Sequence, residues 1–226
     1  MRGARIAVNV IWQRADDAVA ALVLAHGAGA GMTHKHMQAI ADAFEKRGIA
    51  TLRFNFPFIE AGKSRVDAPD VATARIAEAF AVAAGRCDLP IWLGGHSFGG
   101  RMASHAVVDR ALAAAGLIFC SFPLHNAGKP AITRAAHLAG IGKPMLFLSG
   151  TRDDLADASL LRGVVDGLAN AELHWLDTAD HGYRVLKRSR ASAEDVFDEM
   201  ARVARAFVDA PRRGSKTAQQ ASQVGH

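Results

Sequence analysis

Short apolar runs alternate along the chain with stretches in which apolar residues recur at helical spacing. Residues 5–11 (RIAVNVI) and 20–25 (AALVLA) read as strands, the second without polar alternation. Continuous apolar runs of that length belong to strands buried on both faces of a parallel sheet. Within 34–47, Met37, Ile40, Ala41 and Phe44 fall on one helical face, and Gly48 supplies a left-handed stop. Residues 49–54 (IATLRF) predict the next strand. A loop containing Pro57 and Pro69 leads to a helix over 70–84, with Ala72, Ile76, Ala79, Phe80 and Ala83 on one face. The alternation continues through strand 91–95, helix 98–111, strands 116–122 and 144–150, helix 157–168 and strand 172–176. Ser192 with Asp195 predicts a capping box. It opens a last helix whose Val196, Met200, Val203, Ala204 and Phe207 face inward. Strands interleaved with helices predict an α/β fold, with a mostly parallel twisted sheet of about seven strands and helices on both faces. No repeat of fixed period and no internal linker interrupts the pattern, so a single domain over 1–209 is expected.

Size and composition narrow the class. A chain of 226 residues is long enough to bury one large core without disulfide or metal staples. Cys87 and Cys120 make neither a disulfide framework nor a zinc set, and a reducing, cytoplasmic compartment is expected. The longest apolar run, 18–25, is too short to span a bilayer, and the first 17 residues lack the apolar core of a secretory signal. The net charge is +5, but three of those charges (Arg212, Arg213 and Lys216) sit in the last 17 residues, where there are no acids. Residues 210–226 therefore read as a disordered, polar, basic tail. The body is nearly balanced and carries no basic stripe interleaved with aromatics, so neither a nucleic-acid nor a membrane partner is expected.

In open parallel sheets, ligands bind beyond the carboxyl ends of the strands. Strand 91–95 ends in GGHSFGG, which contains Gly95-His96-Ser97-Phe98-Gly99, a G-x-S-x-G turn. Such a turn from strand to helix lifts the serine above the sheet at the positive end of the following helix. Strand 20–25 ends in His26-Gly27-Ala28-Gly29-Ala30-Gly31. This loop lacks the G-K-[ST] ending of a P-loop. Its small residues suit a backbone donor to an oxyanion; the candidates are the N–H groups of Ala28 and, after the serine, of Phe98. His26 is read as shaping the turn. Strand 144–150 leads into Thr151-Arg152-Asp153-Asp154, with Asp153 the candidate acid and Asp154 its open alternative. His181 follows strand 172–176, 28 residues beyond Asp153. The order Ser97, Asp153, His181 suits a nucleophile, an orienting acid and a general base. The histidines show no metal-ligand spacing such as H-E-x-x-H, and no metal or organic cofactor is expected.

The chain resembles small lidless α/β-hydrolases. It is similar in particular to the group that includes testis-expressed protein 30 and the hydrolase-like domain of an NSL-complex subunit, and more distantly to dienelactone-hydrolase-like proteins. The resemblance is carried by LAHGAGAG at 24–31, RFNFPF at 53–58, GGHSFGGRMAS at 94–104, FPLHNAGKP at 122–130, GTRDD at 150–154 and DHGYRV at 180–185. It implies an α/β-hydrolase fold with Ser97, Asp153 and His181 at the catalytic positions and Ala28 and Phe98 at the oxyanion positions. It also implies that Asp153, three residues after the strand-ending glycine, is the acid. Dienelactone hydrolases proper carry cysteine where this chain has Ser97.

About 20 residues separate strands 116–122 and 144–150, too few for the helical lid that larger relatives insert there. An open site and a small or polar ester, thioester or amide are expected. Arg53, Asn55 and His125 are candidate lining residues. Arg53, Lys63, Arg65, Lys129, Arg134 and Arg152 are loop cations that could attract an anion, although solvated loop cations are the commoner case. The rival class is a non-catalytic interaction protein on the same scaffold; three chemically competent side chains at the three positions argue against it.

Overall fold

A computed structural model describes residues 8–211. Its seven strands form one sheet: β1 (Val10–Gln13), β2 (Ala20–Ala25), β3 (Ile49–Phe54), β4 (Ile91–His96), β5 (Leu117–Cys120), β6 (Met145–Gly150) and β7 (Ala171–Leu176), in the order β1-β3-β2-β4-β5-β6-β7. Every pairing is parallel except that of β1 with β3. The helices are α1 (Lys35–Glu45), α2 (Pro57–Glu60), α3 (Pro69–Ala84), α4 (Phe98–Asp109), α5 (Ala158–Asp166) and α6 (Val196–Asp209), with a 3₁₀ segment at Thr133–Gly140.

The two faces of the sheet explain the unbroken apolar runs. Val23, Leu52, Leu93, Phe119 and Phe147 pack against α3, α4 and α5, through Ile76, Met102 and Leu161 among others. The alternate strand residues Leu22, Leu24, Ile118, Leu146 and Leu148 pack on the other face against Met37, Ile40 and Phe44 of α1 and Met200, Ala204 and Phe207 of α6. With both faces covered, every residue of β2, β3 and β6 is buried, including the polar Thr51 and Arg53 of β3 and Ser149 of β6.

Two expectations are corrected. The first strand lies at Val10–Gln13 rather than 5–11, of which residues 5–7 fall outside the described residues. β1 is the antiparallel edge strand, and its position is set by register against β3, from Val10 opposite Phe54 to Gln13 opposite Thr51, rather than by an apolar run. The last helix is capped by the Asp195 carboxylate, which accepts from the Phe197 amide, and not by Ser192, whose hydroxyl accepts from the Glu194 amide one turn earlier. The short α2 and the 3₁₀ segment were unforeseen, four and eight residues being too few to show a helical period. The basic tail expected over 210–226 lies outside the described residues apart from Ala210 and Pro211.

The turn after β4 is tightly packed against β2. Gly95 has φ +153°, and a Cβ there would stand 2.2 Å from the Ala25 carbonyl oxygen. A Cβ on Gly99 would meet the Ala25 and His26 carbonyl oxygens at 2.5 Å. Only glycine lets the start of α4 sit this close to the end of β2. Gly99→Ala must push backbone against backbone, which costs about 3 kcal/mol. In a domain of this size that lowers Tm by about 6–12 °C, a shift that circular dichroism melting would register.

Candidate active site

Ser97 stands between β4 and α4 with φ +54° and ψ −118°, a conformation rare for a residue with a side chain. Such strain costs on the order of 1–3 kcal/mol and persists where the surroundings impose it. Here the Ser97 amide donates to the Cys120 carbonyl at 2.9 Å, and its own carbonyl accepts from the Arg101 amide at 3.1 Å. The hydroxyl is left projecting from the carboxyl edge of the sheet.

The Ser97 Oγ lies 2.8 Å from Nε2 of His181. On the far side of that ring, Nδ1 lies 2.8 and 2.9 Å from the two carboxylate oxygens of Asp153. A carboxylate can only accept, so Nδ1 carries the proton and Nε2 is free to accept from the serine. The Asp153 side chain is fully buried, and its Oδ1 also accepts from the Leu155 amide at 2.9 Å. The neighbouring acids are engaged elsewhere. Asp154 is exposed. Asp180 Oδ1 accepts from the amides of Gly182 and Arg184, and Asp177 Oδ2 from that of Ala191. The two loops after β6 and β7 thus bring Asp153 and His181 together, and the elbow adds Ser97.

The His181 loop is held from below. His96 Nε2–H donates to the His181 carbonyl at 2.9 Å, and the Tyr183 hydroxyl donates to the Leu148 carbonyl at 3.2 Å. Burial, with a smaller contribution from His36, pushes His96 down to about 3, and burial pushes His36 down to about 4. Both rings are therefore neutral at physiological pH. They pack edge to face with centroids 4.5 Å apart, and the His36 ring stacks on that of Tyr183.

Around Ser97 opens a cleft of about 890 Å³, with Gly27, Ala28 and Gly29 on one wall and Leu155, Gly182 and Phe197 on others. Ala28 is exposed to it. Phe98 turns its side chain into the core, against Phe56 and Phe58, which leaves its backbone at the head of α4, where the first amides have no intrahelical acceptor. His26 shapes the loop between them: its Nδ1–H donates to the Gly27 carbonyl at 2.7 Å and its Nε2 accepts from the Phe56 amide at 3.0 Å.

The three candidate lining residues lie elsewhere. Arg53 is buried, with its guanidinium donating to the Met32 carbonyl and to Gln13 Oε1, where it ties β3 to the loop before α1. Asn55 Oδ1 accepts from the Met32 amide at 2.8 Å. His125 braces the loop before α5, its Nδ1–H donating to the Asn126 carbonyl and its Nε2 accepting from the Asp157 amide. Of the loop cations, Arg53, Lys63, Arg65, Lys129 and Arg134 do not line the cleft, and Arg152 lines only a smaller hollow beside it. The cations that do line the cleft are Lys35 and Arg184. Sequence reasoning passed over both, although each lies within a few residues of a strand-end motif: Lys35 follows the glycine loop and Arg184 follows His181.

Comparison with known proteins places the chain in a family. Residues 18–209 match the model described as alpha/beta hydrolase domain, and the protein belongs to that family. Its structure is similar to an alpha-beta serine hydrolase homologue from Coxiella burnetii, at 20% identity over 88% of each chain with a TM-score of 0.65. It is similar to an α/β serine hydrolase without lid from Xanthomonas campestris, at 21% identity over 91% of each chain with a TM-score of 0.67. A dienelactone hydrolase from Anabaena variabilis superposes with a TM-score of 0.69, at 16% identity over 88% of this chain and 89% of that one. These likenesses establish the fold, an α/β-hydrolase sheet of seven mostly parallel strands.

Proposed function

We propose that the protein is a serine hydrolase, carboxylesterase-like, that cleaves a small or polar ester, thioester or amide through an acyl-enzyme on Ser97. The observation that carries this reading is the continuous chain from Ser97 Oγ through the His181 ring to the buried Asp153 carboxylate, at 2.8 Å on each side. As the Ser97 oxygen attacks the substrate carbonyl, its proton passes to His181 Nε2, and Asp153 holds the resulting imidazolium in register. The Ala28 and Phe98 amides receive the oxyanion, each donor contributing about 3–4 kcal/mol to the transition state. His181 then gives the proton to the leaving group. Water, deprotonated by the same ring, attacks the acyl carbon and releases the acid and free Ser97.

The open cleft and the short β5–β6 connection support a small or polar substrate rather than a long lipid. Cys87 and Cys120 as free thiols support the cytoplasmic location expected from the sequence. Among the described residues, no helix is long and apolar enough to cross a membrane.

Two experiments test the proposal. Rapid mixing with a short-chain nitrophenyl ester should release a burst of about one equivalent of nitrophenol, with the acyl mass found on the peptide containing Ser97. Turnover by the purified protein without any acyl adduct, even at acid quench, would count against a covalent intermediate. The mechanism also predicts that EDTA leaves kcat/KM unchanged. Loss of activity on chelation, restored by one metal, would require a different nucleophile.

A further inference from the structure

The charges around the cleft are one-sided. Lys35, at the start of α1, and Arg184, in the loop after His181, line it, and no Asp or Glu among the described residues does so. Some cations have acid partners, such as Arg190 with Glu199, Arg202 with Glu194 and Arg75 with Glu60, whereas others, such as Lys63, Lys129 and Lys187, pair with no described acid but lie outside the cleft. Lys35 and Arg184 make no ion pair with any described residue. Arg184 also borders the smaller hollow, with Arg152, Asp154 and Asp180, but pairs with neither acid there, and one Asp180 carboxylate oxygen is occupied by backbone amides.

The charge distribution of α1 runs against its dipole. Helices favour acids in the first turn and bases in the last. α1 begins with Lys35, has no acid in its first turn and no base in its last, and carries Asp42 and Glu45 toward its C-terminus. A lysine at the positive end of a helix, facing a cleft without a carboxylate, is a poor arrangement for stability alone. An anion in that cleft would meet both cations and the helix end together.

We propose that the substrate carries a second, anionic group, in its simplest form a carboxylate, and that Lys35 and Arg184 hold it while Ser97 attacks the ester carbonyl. This inference rests on the hydrolase reading and adds a substrate class to it. Lys35 and Arg184 are specificity residues in this account.

The test compares charged and neutral esters of matched shape: nitrophenyl hemiglutarate against nitrophenyl valerate for a charge on the acyl side, and para-acetoxybenzoate against para-acetoxybenzamide for a charge on the leaving group. At low salt, kcat/KM for the charged member of at least one pair should exceed that of its neutral partner by about tenfold or more, and the ratio should shrink as ionic strength rises. In Lys35→Gln/Arg184→Gln that ratio should fall to about one, whereas Lys129→Gln, outside the cleft, should keep the wild-type ratio. Hydrolysis of all four esters with ratios near one, or a preference that survives the double substitution, would overturn the inference and leave the hydrolase reading standing. If no ester is turned over, the hydrolase reading fails instead, and the anion site is decided by glutarate binding to Ser97→Ala measured by calorimetry. Binding lost on adding Lys35→Gln and Arg184→Gln would sustain the site, and no binding at all would overturn it.

Discussion

Ser97→Ala should lower kcat/KM for a short-chain nitrophenyl ester by about 10⁴-fold or more, with the melting temperature little changed. Removing a nucleophile whose partners act as a unit typically costs on the order of 10⁴–10⁶. The fold should survive, because what holds the elbow is backbone: the Ser97 amide on the Cys120 carbonyl and the close approach of Gly95 and Gly99 to the end of β2. The lost hydroxyl gives up its bond to His181, and the ring stays fixed by Asp153. Neither cysteine is placed to rescue the variant. Cys120 is buried, and burial pushes its thiol up to about 12, far from the thiolate a nucleophile needs. Cys87 lies just after α3 with its thiol against the Ala83 carbonyl. Turnover near the wild-type rate in Ser97→Ala would therefore mean that the reaction does not use this site.

The second large effect separates two adjacent aspartates. Asp153→Asn should cost about 10⁴ in kcat, because an amide that turns its NH₂ toward Nδ1 selects the wrong imidazole tautomer, the one that cannot take the Ser97 proton. Asp154→Asn should leave kcat within about twofold, since its side chain is exposed and outside the chain of hydrogen bonds to Ser97. Measuring kcat and melting temperature for both variants side by side decides it. If Asp154→Asn is inactive and folded while Asp153→Asn retains activity, the assignment of the acid is wrong.

What could be read from the sequence follows physical locality. The buried strands were legible because both faces are covered, so β2 is written as an unbroken apolar run and β3 and β6 as mostly apolar ones. The elbow was legible because its steric demands are local: a strand, two glycines and a helix within a dozen residues. Asp153 and His181 could be placed because each follows directly on a strand of that sheet. The choice between Asp153 and Asp154 had no local signal beyond the resemblance; it depends on which carboxylate the turn after Gly150 points inward. The lining residues were misread for a similar reason. Arg53 is a strand residue drawn into the core by Gln13 and the Met32 carbonyl, contacts distant in sequence. Lys35 and Arg184 reach the cleft only because α1 and the loop after His181 converge at one edge of the sheet. The first strand was misplaced because an edge strand takes its register from its partner, and the cap of α6 was misplaced because Ser192 and Asp195 are both competent caps three residues apart.

The most direct test of the central claim is labelling of the folded, purified protein with a fluorophosphonate probe, followed by peptide mapping. Phosphonylation requires a serine activated by its histidine and an accessible cleft, and it requires no knowledge of the natural substrate. The account predicts stoichiometric modification confined to Ser97, abolished in Ser97→Ala and slowed by orders of magnitude in Asp153→Asn. No labelling of well-folded protein, or labelling of a different residue, would contradict it.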